Sequence, residues 1–173
     1  MPIALWLEPA PDDARTLQVA IDSLAARYGV APFAPHVTVL AAFEAEPAAL
    51  ERSLAEVAAG TRPFALDVLG IGHTPAFFQT LFLDFGLAEP VLSLRRQLAP
   101  LLGRKPEDAA LPHLSLLYAH LEEPERAALA EEIAVPPRVR FDALSWVTPG
   151  PGRTDWLDVA GWQRGARVRL GGG

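Results

Sequence analysis

Apolar residues recur at helical spacing in four stretches of this chain, and between those stretches they alternate or cluster as strands do. Leu17, Ile21, Leu24 and Tyr28 mark a first helix, with Asp12 as a candidate cap and Gly29 as its stop. Leu50, Leu54 and Val57 mark a second, entered at Pro47 and left at Gly60. Two more are expected over residues 90–102 and 124–133. Strands are expected at residues 3–7, after Pro35, over 64–71 and 78–85, after Pro112, and over 139–147 and 154–160. Residues 163–173, ending Gly171-Gly172-Gly173, read as a frayed tail.

Two of these strands are versions of one another. Pro35-His36-Val37-Thr38-Val39-Leu40 and Pro112-His113-Leu114-Ser115-Leu116-Leu117 both read Pro, His, aliphatic, hydroxyl, aliphatic, Leu. Strand side chains alternate, so each histidine shares a face with its hydroxyl while the aliphatics turn the other way. The two histidines are 77 positions apart, and each motif is flanked by helices. Thr74-Pro75, Thr80 and Leu83-Asp84 recur as Thr148-Pro149, Thr154 and Leu157-Asp158 at an offset of 74, three residues different. A motif repeated with its flanking elements points to duplication, and duplicated lobes pack about a pseudo-twofold axis. On that reading the chain is a single bilobal domain. The first lobe spans roughly residues 10–86, the second roughly 87–162, and 163–173 is a tail.

Composition narrows the function. With 173 residues, half of them hydrophobic, the chain can bury a sizeable core. A net charge of −6 supplies no basic stripe for a long polyanion, so a nucleotide substrate should be small or held at one end. There is no cysteine, which fits a reducing compartment. No apolar run is of membrane-spanning length and the start of the chain lacks the basic region of a secretory signal, so a cytoplasmic, non-membrane, monomeric protein is expected.

Two facing histidine–hydroxyl pairs suit phosphoester chemistry. One neutral imidazole can take a proton from water while the other, protonated, gives one to a leaving oxygen. The hydroxyls can donate to non-bridging oxygens as charge gathers on them, and neither role requires a metal. A single His-x-Thr in a strand would ordinarily be a satisfied polar pair. Two copies inside a wider repeat favour a site.

The paired motifs resemble the 2H phosphoesterase superfamily, which implies an α+β, bilobal fold with two antiparallel sheets related by a pseudo-twofold around a central cleft, helices outside. Leu5-Trp6-Leu7-Glu8-Pro9, Phe77-Phe78-Gln79 and the extended second motif through Tyr118 look most like its cyclic phosphodiesterase branch. That resemblance implies hydrolysis of nucleoside 2′,3′-cyclic phosphates or ADP-ribose 1″,2″-cyclic phosphate, with no cofactor and no metal. It puts His36 and His113 in the acid and base roles without saying which is which, and Thr38, Ser115 and Tyr118 on the substrate. The alternatives are an RNA 2′,3′-cyclic phosphodiesterase with 2′-5′ RNA ligase activity, its partner an RNA 3′ end, and a non-catalytic nucleotide-binding module.

Several residues have two readings. Tyr118 lies five positions past His113, so strict alternation turns it away; only a bulge or bend returns it to the site. Phe77 and Phe78 could stack on a base or simply pack, and Trp6 reads as core or cleft wall. Arg95-Arg96 could hold a second phosphate but reads better as a solvated patch. His73 and His120 are expected at the surface or in turns. Glu122, Glu123 and Glu125 are explained by the helix dipole.

Overall fold

The computed structural model describes residues 1–106 and 110–171. Strand β1 (Pro2–Pro9) is buried almost throughout, because neighbouring strands flank it on both edges. Helix α1 (Pro11–Tyr28) starts at Pro11, whose missing N–H costs nothing there. Asp12 lies in its first turn rather than at its cap. It stops at Gly29, whose positive φ of 64° lets the N–H reach back to Ala25 and Ala26. Then follow β2 (Val37–Glu44), α2 (Pro47–Gly60), β3 (Phe64–Asp67) and β4 (Gly70–Gly72). The rest comprises β5 (Leu81–Asp84), α3 (Glu89–Leu101), β6 (His113–Leu117), α4 (Glu123–Glu132), β7 (Arg138–Thr148), β8 (Gln163–Arg164) and β9 (Val168–Arg169). The helical periodicity holds, since Leu17, Ile21, Leu24, Leu50, Leu54 and Val57 all face the core. None of the described helices is long and apolar enough to cross a membrane.

The fold is α+β, and every strand pairing is antiparallel. The order is β3-β7-β1-β2-β6-β5-β4, with β8 and β9 also on β7. Among the described residues, two half-sheets, one around β1 and one around β5, meet at a single register pair, Val37 with Leu114. These are equivalent positions of the two motifs, 77 apart. Phe64 pairs with Phe141, again 77 apart. A position paired with its own copy lies on a twofold axis, so these two pairs mark the axis of the duplication.

The strand expected at 78–85 shortens to β5, preceded by a single 3₁₀ turn at Phe77–Gln79. It pairs with β4 on one edge and with β6 of the second motif on the other. In chain order, β1-α1-β2-α2-β3/β4 matches β5-α3-β6-α4-β7 element for element. The offset of 74 survives only locally. Thr74 Oγ1 accepts from the Ala76 N–H at 3.1 Å and Thr148 Oγ1 from the Gly150 N–H at 2.9 Å, the same turn ending corresponding strands. Beyond it, Thr80 is buried against Ala119 while Thr154 is exposed.

Two further expectations fail. Residues 154–160 form turns and a 3₁₀ turn at Val159–Gly161 instead of a strand. Gly150 and Gly152 take positive φ just before it, and Asp155 accepts the Leu157 N–H, so local bonds displace strand pairing. The described part of the expected tail is also docked. It contributes β8 and β9, buries Leu170 and bonds Gly171 N–H to Ala58 O at 3.0 Å; Gly172 and Gly173 lie outside the described residues. Its anchor is Glu8, a buried carboxylate on β1. Ser145 donates to it at 2.6 Å, Arg164 at 3.1 Å and Arg167 at 2.9 Å.

A variant ending at Trp162 strips Glu8 of both cations. It is expected to lose stability by roughly 1–3 kcal/mol, the scale for a buried polar group left under-satisfied, read as a lower urea midpoint. An unchanged midpoint would return this segment to the status of a tail.

Candidate functional site

Each motif histidine is set by the proline before it. A residue preceding proline is driven to extended backbone, which fixes the direction of its carbonyl. His36 Nδ1 bonds the Ala34 carbonyl at 2.7 Å, and His113 Nδ1 bonds the Leu111 carbonyl at 3.1 Å, the same contact two residues back in both copies. A carbonyl only accepts, so each Nδ1 carries the proton and Nε2 is left as the basic nitrogen. Since β2 and β6 adjoin at the twofold axis, the two imidazoles reach one cavity of about 370 Å³. Thr38, Ser115 and Tyr118 line the same cavity, so all five expected site residues are brought together.

Tyr118 arrives through a bulge. Between Leu81 and Phe82 the partner strand advances from Leu117 to Ser115, which leaves Leu116 as an extra residue. One extra residue reverses the alternation and turns Tyr118 back toward the histidine face. The first motif has the same bulge at Val39, between the pairs Leu5–Leu40 and Trp6–Thr38. Its counterpart of Tyr118 is Ala41, which also lines the cavity. The cavity is thus built symmetrically and filled asymmetrically.

The surroundings of the two histidines differ likewise. Trp6 stacks flat on His36, centroids 3.6 Å apart and planes 9° apart, while the corresponding Phe82 meets His113 edge-on at 5.1 Å. Burial pushes His36 down from 6.5 to about 3, with repulsion from His113 and Arg164 adding to it and the Ala34 carbonyl opposing. His113 is also lowered by burial; the Leu111 carbonyl and Asp84 oppose this and Arg95 reinforces it. Burial raises Tyr118 well above the ordinary phenol value, so it is a donor at neutral pH; its hydroxyl stands 3.5 Å from His36 Nε2. Ser115 donates to the Phe78 carbonyl at 2.8 Å.

The ambiguous residues separate cleanly. Phe78 lines the cavity, whereas Phe77 packs against Tyr118 and His120. Trp6 is cleft wall. His120 is exposed, His73 is half-buried in a loop, and neither lines the cavity. Glu122 stands at the N-cap position of α4 without a side-chain capping bond, and Glu123 and Glu125 occupy its first turn, Glu125 also accepting from the Tyr28 hydroxyl at 2.8 Å. Arg96 is exposed and paired with Glu89, but Arg95 is buried in the cavity wall, against expectation. Its signal was present: with Val91, Leu94 and Leu98 it lies on the apolar stripe of α3. Trp156 and Trp162, also in the wall, were missed and carry no such signal.

The sequence model of the 2′-5′ RNA ligase superfamily matches residues 4–149, most of the chain and both motifs. The chain belongs to this superfamily. Solved structures share its fold at low identity. TT0787 of Thermus thermophilus aligns with a TM-score of 0.60 at 16% identity, over 99% of both chains. Apo LigT of E. coli aligns at 0.53 and 18%, covering 98% of this chain and 96% of that one. LigT complexed with 3′-AMP aligns at 0.55 and 17%, covering 98% and 99%. No curated protein sequence matches. The superfamily match stops before Trp156 and Trp162, so that part of the cavity wall lies outside the matched residues.

The depressed His36 makes folding stability depend on pH. Above 6.5 the residue is neutral folded or unfolded. As pH falls below 6.5 the unfolded chain binds a proton that the folded chain refuses until about 3, so stability is full above 6.5 and is lost through that window. The urea midpoint is expected to drop between neutral pH and about pH 5, and to drop less in His36→Gln. An equal drop in both would remove His36 as the cause.

Proposed function

We propose that this protein is a phosphodiesterase that opens a small nucleoside cyclic phosphate in the cytosol, as a monomer, by two-histidine acid–base catalysis. The observation that carries the reading is the pair of imidazoles on one cavity, each with Nδ1 spent on a carbonyl and Nε2 left for proton transfer. His36, whose burial keeps it neutral, takes a proton from water; the water oxygen bonds to phosphorus as the ring P–O bond breaks. His113, less buried and facing Asp84, delivers a proton to the departing sugar oxygen. Thr38, Ser115 and Tyr118 donate to the non-bridging oxygens, Ser115 by releasing the Phe78 carbonyl. Side chains supply every proton and every donor in this sequence.

The wall supports a nucleoside as the carrier of the phosphate. Phe78, Trp156 and Trp162 offer aromatic surface to a base, and base–aromatic stacking is worth about 1–3 kcal/mol. A strand of RNA is less well served. On the segment that carries Trp156 and Trp162, Arg153 is paired with Asp158 and Arg164 with Glu8, so the nearby cations already have carboxylate partners.

His36→Ala and His113→Ala are each expected to lower turnover of a nucleoside 2′,3′-cyclic phosphate by roughly 10²–10⁴-fold with the circular dichroism unchanged. Hydrolysis is expected to survive excess EDTA. Saturable binding without product in the wild type would make the protein a binding module, and loss on chelation restored by a divalent ion would overturn the side-chain mechanism.

The acid must be protonated to act, and His113 lies below its ordinary 6.5. kcat/KM is therefore expected to start falling on the alkaline side at a pH below that value. A profile flat from acid to alkaline pH would sink the acid–base pair.

A further inference from the structure

The duplication assigns Arg95 a counterpart, and the comparison shows what each does. Gln18 on α1 lies 77 positions before Arg95 on α3. Gln18 Nε2 donates to the Phe33 carbonyl at 3.0 Å, and an Arg95 Nη donates to the Ala110 carbonyl. Phe33 and Ala110 are themselves 77 apart, each three residues before its motif histidine. Both helices thus reach across to fix the backbone on which a histidine is mounted.

Arg95 does more than Gln18. Its Nε donates to the Val39 carbonyl at 3.0 Å and its other Nη to the Thr38 carbonyl at 3.2 Å. Val39 is the extra residue of the first bulge, and a bulge takes such a residue out of the strand ladder. A guanidinium is a rigid planar fork, so carbonyls bound to it are held at set distances from one another. One buried side chain therefore clamps the bulged strand of the first motif to the approach of the second.

We propose that Arg95 is the positioning residue of this site: it fixes the spacing between the His36 and His113 strands by bonding the backbone of both. The activity arm of its test rests on the phosphodiesterase reading; the titration arm does not. Among the described residues, the groups facing His113 are Asp84 on β5, Arg95 on α3 and His36 on β2. Arg95→Gln imitates Gln18 and can keep the Ala110 bond while losing the clamp and the charge. Arg95→Lys keeps the charge and loses the fork.

The expected results distinguish geometry from charge. Both variants remain folded and lose kcat on the order of 100-fold, the scale for displaced reacting groups, with KM changed far less. Nuclear magnetic resonance titration shows the His113 pKa rising in Arg95→Gln, where the repelling cation is gone, and unchanged in Arg95→Lys. If the wild type shows no turnover, the phosphodiesterase reading fails alone, and the Arg95→Gln titration still tests whether Arg95 addresses His113. Folded variants with wild-type kcat would overturn the proposal. So would a His113 titration unmoved in Arg95→Gln, or unfolding of both variants, which would make Arg95 a core support.

Discussion

One backbone pairing holds the site together. Val37 and Leu114 are the sole register pair between the two half-sheets among the described residues, and they follow the two histidines directly in sequence. Because they are copies of one position, the symmetry axis runs between the motifs and not beside them. Any side chain that faces the axis from one motif must meet its counterpart from the other. The cavity, the facing imidazoles and the paired bulges all follow from that placement. Hydrophobic burial around Leu114 and Val37, both fully buried, gives the junction its strength despite its brevity.

The symmetry around the cavity is incomplete. Equivalent positions hold Trp6 and Phe82, Ala41 and Tyr118, Gln18 and Arg95. Each difference bears on one histidine more than the other. Near-complete burial, under a flat indole, holds His36 well below the ordinary histidine value, whereas His113 sees Asp84 across the strand pair. Two identical imidazoles would compete for the same proton. Their unlike surroundings suit the separate acid and base tasks proposed for them.

What could be read from the sequence was whatever depends on neighbours along the chain. Helix faces, proline entries and the shared face of His36 with Thr38 or His113 with Ser115 all follow from periodicities of 3.6 and 2. The missed features depend on partners far away. Nothing near residue 81 says that β5 will pair with β6, and nothing near Arg164 announces Glu8. Tyr118 turned on a bulge that only the opposite strand reveals. Arg95 was legible in principle, as a cation inside an apolar stripe, but its doublet with Arg96 resembled a solvated patch. The extended end of the chain was undervalued because glycine-rich composition says little about docking.

An on-axis site has an unusual ancestry. Ordinary twofold dimers carry a site on each subunit and so possess two. Here the two motif histidines straddle the axis, and a half-length precursor would have needed to dimerise to assemble one cavity, with both histidines identical by necessity. Fusion of the two copies kept the number of cavities at one per assembly while freeing each half to mutate alone. A substitution that touches a single histidine, such as alanine against tyrosine at residues 41 and 118, became available only after that event.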